Sequence, residues 1–425
     1  MQTIQNPVGP GAEEEQLVPA VACLLRFGAT MLRSGTVSLR VREGISCLGR
    51  AMGLHRITVD LAFDAITLTA GETGRSLTSA SRISGFGINA YRLGMLEHMA
   101  ANAQAPLSAA TIEAQLDVVD ATPPLRSVPT VVFAVAAACA AFACLNNGGP
   151  SAMFGAAIGG GIGQWLRMKL LARKLNQFAL TAICAVVATA AYCLVAAGLT
   201  AAGFDVPVQG AGFISSALFL VPGFPLVAAV VDLLQTDLSI GVTRLAYGIM
   251  LVLAGAFGIC MVAAAAHLSA APLPPRWDLG PVLHLLPRGA ATFIGACGFA
   301  ILYNSTWRTV WTVGLLALVG NEIRLGLNDA GVALASATFV GALTVGLMST
   351  AARRFVHEPR IALSVPGVVI MTPGTFAYQA LIHFNQGDIS GALAYAVPGG
   401  FVVGAMAVGL AAARLLTDRA WLYDK

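Results

Sequence analysis

The sequence predicts a mainly α, polytopic membrane protein with two inverted five-helix repeats, preceded by a small α+β domain. Three observations carry this. Of 425 residues, 57% are hydrophobic and only 11% charged, against about 25% charged in soluble domains; mean hydropathy is +0.76. Apolar runs long enough to cross about 30 Å of hydrocarbon recur from Val128 onward. Two proline-glycine breaks then recur inside such runs at a fixed spacing. The net charge of +4, without basic blocks interleaved with aromatics, gives no reason to invoke nucleic acid.

Residues 1–16, with Glu13, Glu14 and Glu15, lack the basic start and apolar core of a signal peptide and are expected to form a disordered, retained tail. Residues 17–126 read as a cytoplasmic α+β domain. LVPAVACLLRFGATMLR and VSLRVREGISCLGRAM carry helical periodicity, ITVDLAF and AITLTAG read as strands, and helices are expected at about 88–103 and 108–119. The apolar runs of this region are too short to span a bilayer. Its ionisable residues, among them Glu43, His55, Asp60 and His98, show no nucleophile–base spacing and no nucleotide loop, so no catalytic residue is assigned. Six of the eight cysteines lie in apolar runs, with no C-x-x-C pair and no histidines at ligand spacing, and read as packing residues rather than disulfides or metal ligands. No cofactor or metal is implied.

Membrane repeat 1 is expected over 127–268 and repeat 2 over 288–416, joined by a proline-rich connector at 269–287 and followed by a cytoplasmic tail at 417–425. Ten apolar segments fall at about 128–145, 151–166, 177–200, 210–230, 243–268, 288–304, 307–323, 331–350, 361–382 and 391–413. The second and seventh are short, glycine-rich or polar, and a re-entrant course is the alternative for them. Starting from a cytoplasmic N-terminal domain, alternation places thirteen Lys and Arg inside, Arg167, Arg244 and Arg414 among them, and only Arg276, Arg288 and Arg324 outside. The bias puts both ends of the chain in the cytoplasm.

VPGFPLVAAVVDLLQTD (221–237) and PGTFAYQALIHFNQGDIS (373–390) share a layout. Pro222-Gly223 precedes Asp237 by the same interval that separates Pro373-Gly374 from Asp388, an offset of 151 that also carries 177–200 onto 328–351. With five spans per half the second copy is inverted, and inverted repeats with matching broken helices point to a secondary transporter. Each proline removes an N–H and frees the carbonyl four residues back: Pro222 and Pro225 free Leu218 and Val221, and Pro366, beside Gly367, and Pro373 free Ala362 and Val369. Such carbonyls, with the N–H groups of the half-helices that follow, could hold a zwitterionic amino acid. The alternative is a kink that neighbouring helices re-satisfy. Tyr378 and Gln379, one turn beyond Pro373, could hydrogen-bond a substrate hydroxyl. Asn146 and Asn147 could line a pathway or simply turn between two spans. Asn321, Glu322 and Arg324 fit an interfacial ion pair as well as a gate. Asp232, inside the broken span, is the best placed proton carrier, with Glu322 next, whereas Asp237 and Asp388 also read as helix N-caps. Gly155-x-x-x-Gly159-x-x-x-Gly163 reads as a helix-packing face.

LRFGATMLRSGTVSLRVREGISCLGRAMGL with VDLAFDAITLTA, then RMKLLARKLNQF, LVPGFPLVAAVVDLLQTDLSIGVTRL and VPGVVIMTPGTFAYQAL together resemble the threonine/serine exporter family, from about residue 20 to 415 and in the family's order. The resemblance implies a ten-span carrier of the bacterial inner membrane with a cytoplasmic N-terminal domain, exporting threonine and serine by antiport with protons. The partners implied are the small amino acid, protons and the lipid bilayer, with a homo-oligomer left open. The family's P-G-x-P-L…D-L-L…D pattern maps onto Pro222, Gly223, Pro225, Leu226, Asp232, Leu233, Leu234 and Asp237, and its second P-G…G-D onto Pro373, Gly374, Gly387 and Asp388. Ala228-Ala229 stand where the family often has a Thr-Asn pair, so a transporter or channel for another small polar solute or organic acid, with the N-terminal domain as a gating or regulatory module, is the alternative.

Overall fold

The protein was analysed as a computed structural model, which describes residues 10–72, 75–83, 85, 87–204, 210–268 and 283–418. By their contacts the residues form two units: Met1–Pro123 with Asp232–Thr243, and Pro124–Val231 with Arg244–Lys425.

In the first unit, α1 (Pro10–Arg33) starts earlier than expected. The tail predicted for 1–16 is corrected accordingly: 10–16 are helical, and 1–9 lie outside the described residues. Helix α1 buries Leu24, Phe27 and Met31. It approaches α2 (Ser38–Ala51) and the sheet so closely at Gly28 that a methyl there would come within 2.6 Å of Ile66 and 2.8 Å of Ile45. The sheet has three antiparallel strands in sequence order, β1 (Arg56–Leu61), β2 (Ala65–Glu72) and β3 (Arg75–Arg82). Two strands were expected. RSLTSASR offers only Leu77 as a large apolar residue, so alternation does not reveal β3, which pairs with β2 in the register Leu68↔Ser79. Val59 opposite Leu68 and Leu61 opposite Ile66 set the core face. Helices α3 (Ala90–Ala101) and α4 (Ala109–Ala121) begin at Asn89 and Ser108, whose side chains accept the N–H of Arg92 and Thr111. Arg26 ties α1 to α4 through Asp117 at 2.7 Å, Asp120 at 2.8 Å and Glu113. Burial pushes the Cys23 thiol up to about 12, which leaves it a packing residue.

The remaining helices follow as α5 (Val128–Leu145), α6 (Pro150–Ala172), α7 (Gln177–Ala201), α8 (Gly210–Ser215), α9 (Gly223–Leu234), α10 (Leu238–Ala265), α11 (Leu285–Leu302), α12 (Trp307–Asp329), α13 (Leu334–Val356), α14 (Arg360–Val369), α15 (Gly374–Asn385) and α16 (Ile389–Thr417). Among the described residues, seven helices are long and apolar enough to cross a membrane, or up to nine if each of two bent pairs counts as one span. The remaining predicted segment, the second, is α6, which is long enough at 23 residues but falls short in apolarity. Its glycines, Gln164, Arg167 and Lys169 account for that. The seventh segment, expected to be short, is the 23-residue span α12. Most of the connector, 269–282, lies outside the described residues.

The helix starts expose the internal repeat and correct its spacing. Val128, Pro150 and Gln177 map onto Leu285, Trp307 and Leu334 at an offset of 157, whereas Gly223 and Leu238 map onto Gly374 and Ile389 at 151. The second half is thus shorter between its third helix and its break, and 177–200 corresponds to the helix starting at 334, not to 328–351. Small residues let the backbones meet. A methyl on Gly298 would approach Ala134 O at 2.6 Å, and the equivalent glycines Gly258 and Gly409 would do the same to Ala182 O at 2.5 Å and Phe339 O at 2.7 Å. Gly155, Gly159 and Gly163 face α7 in the expected packing role, with a methyl on Gly159 reaching Ala188 O at 2.5 Å.

The ends of α9 and α15 are also equivalent. Asp237 donates its N–H to Asp232 O and Asp388 to His383 O, across residues with φ of +62° (Thr236) and +79° (Gly387). A β-branched residue is strained there, by about 1–2 kcal/mol. Thr236→Gly is expected to raise stability by up to about 1 kcal/mol once glycine's entropy is counted, read as an upward shift in the unfolding midpoint of the purified chain.

Candidate transport site

The two breaks are built alike. Gly210–Leu220 meets α9 at 65°, and α14 meets α15 at 53°. At each, a proline-glycine step closes a tight turn, with the Gly223 N–H donating to Val221 O at 2.8 Å and the Gly374 N–H to Thr372 O at 2.9 Å. The helices then restart, Leu226 donating to Pro222 O and Ala377 to Pro373 O. The breaks lie against each other, because a methyl on Gly223 would come within 2.7 Å of Val369. Tyr378, 3% exposed, sits edge-on to Phe213 of α8 with ring centroids 6.3 Å apart, and Gln379 is buried next to it in α15. Gly367 packs towards Val345, and Pro366 stays inside α14.

Three of the four freed carbonyls find local donors. Leu218 O accepts from the Val221 N–H at 3.0 Å, and Val221 O from Gly223. Val369 O accepts both the N–H of Thr372 at 3.1 Å and its hydroxyl at 2.6 Å. The expectation of open carbonyls is corrected at these atoms, since the turn that each proline forces also brings a donor into range. Pro225 lies in the first turn of α9, where a missing N–H costs nothing.

The acids divide by partner. Asp388 caps α16, accepting from the Gly391 N–H and Ser390 Oγ at 2.9 Å and contacting His383 Nδ1 at 2.9 Å. The Gly391 N–H, then Ser390 and His383, hold its carboxyl below the ordinary carboxylate range. Asp237 pairs with Arg42 and lies within hydrogen-bond reach of the Ser38 hydroxyl, whose single proton it shares with Asp232. Burial pushes the Asp237 carboxyl up, and the bonds from Arg42 and Ser38 more than reverse this, so that it too lies below its usual range. A depressed acid stabilises above its unfolded pKa and loses that only as pH falls through the folded value, so this tie persists at neutral pH. Asp232 is fully buried and accepts both the N–H and the hydroxyl of Ser38 at 2.9 Å. Val37, the N-cap position of α2, makes no side-chain cap bond, and Asp232 serves as the cap from a distant part of the chain.

Asn146 donates to Phe142 O at 2.8 Å and Asn147 turns with φ +62°, so both finish α5 as a loop. Glu322 pairs with Arg288 at 2.6–2.9 Å, and Arg288 also holds Asp329 at 2.8 Å.

Arg324 is a different kind of charge. It is 7% exposed. Its Nε donates to Thr338 Oγ1 at 2.9 Å and its Nη1 to Asn321 Oδ1 at 3.1 Å, while Asn321 Nδ2 donates to Thr292 Oγ1 at 2.8 Å. Among the described residues no carboxylate pairs with it. A methyl on Gly341 would meet Arg324 Cβ at 2.9 Å and Met371, inside the second break, at 3.5 Å. A cation buried among neutral partners costs about 2.5–3.5 kcal/mol on insertion scales and is a functional position by default. Its guanidinium has the geometry to donate charge-assisted hydrogen bonds to an anion. Sequence reading grouped Arg324 with Glu322, yet residues two apart on a helix face different sides, and that spacing was the missed signal.

A threonine/serine exporter family model matches residues 22–266, and a second, described as "Threonine/Serine exporter, ThrE", matches 288–416. A curated protein of Klebsiella aerogenes named "Probable succinate transporter subunit YjjP" is 30% identical over 233 residues, 54% of this chain and 88% of its own. The protein of that name from Escherichia coli (strain K12) is 29% identical over 258 residues, 59% of this chain and 95% of its own. No solved structure matches the chain. Matched over most of its length, the chain belongs to the threonine/serine exporter family and is a multi-pass membrane transporter, not an enzyme.

Proposed function

We propose that this chain exports a small carboxylate-bearing solute, threonine or serine, across the bacterial inner membrane by antiport with protons, with both termini in the cytoplasm. The observation that carries the reading is Arg324, buried without an acid partner beside the second break. A solute carboxylate can complete it with charge-assisted hydrogen bonds, which a solute without a carboxylate cannot supply. The two bent helix pairs, built on the same turn and abutting at Gly223 and Val369, support alternating access by two inverted halves.

Proton coupling needs an acid that can change charge. Asp237 and Asp388 are held on the ionised side, which leaves fully buried Asp232, with Glu322 behind it because its Oε1 is buried without a partner. The end of α9 that carries Asp232, and the turn after it that carries Asp237, group by contacts with the N-terminal unit. That supports a gating role for the N-terminal domain, exerted through Ser38 and Arg42 on the segment that follows the first break.

A second reading is export of a dicarboxylate. Among the described residues, the buried charged side chains of the second unit are Arg244, Arg324 and Arg414, all cationic, and the relatives named above carry succinate in their names. Those relatives are named as subunits and match little more than half of this chain. In this reading the other half comes from the same polypeptide. Counterflow in proteoliposomes with labelled threonine, serine and succinate separates the two. Saturable exchange of threonine and serine at least tenfold faster than succinate is expected on the order of one charged hydrogen bond's worth; the reverse order would establish the dicarboxylate reading.

A further inference from the structure

We propose that the first half holds a second carboxylate site, with Arg167 as its cation and Gln164 and Thr181 beside it. The offset of 157 that relates the first three membrane helices of the halves carries Gln164, Arg167 and Thr181 onto Asn321, Arg324 and Thr338. The packing follows the same offset. A methyl on Gly163 would meet Ala188 Cβ at 2.9 Å, and one on the equivalent Gly320 would meet the equivalent Val345. Each also reaches the neighbouring break, at Phe219 in one half and Met371 in the other. Thr181 and Thr338 both donate to the carbonyl four residues back, at 2.7 and 2.6 Å, and so keep lone pairs free as acceptors.

The two sites differ in how their groups are spent. Arg324 is latched onto Asn321 and Thr338. Arg167 is half-buried and makes no hydrogen bond or ion pair among the described residues. Gln164 is 2% exposed and its Oε1 is buried without a partner among the described residues, a state that calls for an explanation such as a water, an ion or a ligand. The bland reading is a basic side chain reaching for the membrane surface. Lys169 fits it, with its Nζ 5.9 Å from the ring of half-exposed Trp165. Arg167, two residues away on the helix, instead lies within electrostatic reach of Cys184 on α7, Tyr247 on α10 and Tyr303 at the C-cap of α11.

The unspent groups name the ligand class. The guanidinium fork takes a carboxylate, and the orphaned Gln164 Oε1 takes an N–H or O–H donor, so the site fits an α-amino or hydroxy acid better than a plain dicarboxylate. This deepens the exporter reading above and rests on it for the identity of the solute. The test is arginine modification by phenylglyoxal on the full chain in proteoliposomes, read residue by residue by mass spectrometry. Arg167 should react about tenfold faster than bonded Arg324, and L-serine should slow it by about tenfold, the scale of one or two charged hydrogen bonds, without slowing exposed Arg173. Gln164→Leu should stay folded and lose that protection. Equal reaction of Arg167 with and without L-serine or succinate overturns the site, as does protection unchanged in Gln164→Leu. L-Serine flux measured on the same vesicles separates the two proposals: flux without protection sinks this site alone, and protection without flux supports the site and sinks the exporter reading.

Discussion

Replacing Arg324 by glutamine is expected to lower kcat/KM for the exported carboxylate by about 100-fold or more while leaving the chain folded. A charged hydrogen bond contributes about 1.5–3 kcal/mol, and loss of two from a bidentate carboxylate is about 3–6 kcal/mol, where each 1.36 kcal/mol is tenfold in rate. Glutamine can still bond Thr338 or Asn321, and it removes a buried charge that has no acid partner, so the unfolding midpoint should hold or rise. Arg324→Lys keeps the charge and loses the fork, and should recover only part of the activity. Proteoliposome uptake kinetics and thermal unfolding of the same preparations check both halves of the statement.

The second large effect is expected at Asp232, where two substitutions separate structure from coupling. Asp232→Ala leaves the buried Ser38 N–H without its acceptor, while the Ser38 hydroxyl keeps Asp237. Losing a cap costs about 0.5–2 kcal/mol, and burying an unsatisfied donor adds about 1–3 kcal/mol, so the yield of folded protein should fall. Asp232→Asn keeps an oxygen for Ser38 but cannot carry a proton. It should fold, retain counterflow, which needs no net proton movement, and lose gradient-driven efflux. Asp232→Asn with full accumulation against a gradient would pass the proton to Glu322.

The limits of sequence reading follow from which contacts are local. The breaks at Pro222-Gly223 and Pro373-Gly374 were legible because proline and glycine act on their own turn, and the structure bends at both. The repeat was legible only from those breaks onward. Its first three helices are set at 157 rather than 151, and the shorter stretch in the second half hid the match of Gln164-x-x-Arg167 with Asn321-x-x-Arg324. The sheet was two-thirds visible, since β3 is polar and exists by pairing with β2. The destination of Asp232 could not be read at all. Its partner Ser38 is 194 residues away, and no periodicity links an acid at the end of an apolar segment to the first turn of a helix so far away in the chain. Conversely, the N-cap expected of Asp388 was readable, because Gly391 is three residues on, while Asp237 in the matching place turns its carboxylate to Ser38 and Arg42 instead.

The measurement that bears most directly on a carboxylate-recognising exporter is counterflow in proteoliposomes with paired analogues that differ only in the carboxylate: serine against serinol, and succinate against succinamide. Saturable exchange of at least one carboxylated member, suppressed by Arg324→Gln, is expected, with no exchange of either analogue that lacks the carboxylate. Exchange of serinol or succinamide at the rate of its carboxylated partner, unaffected by Arg324→Gln, would contradict that reading.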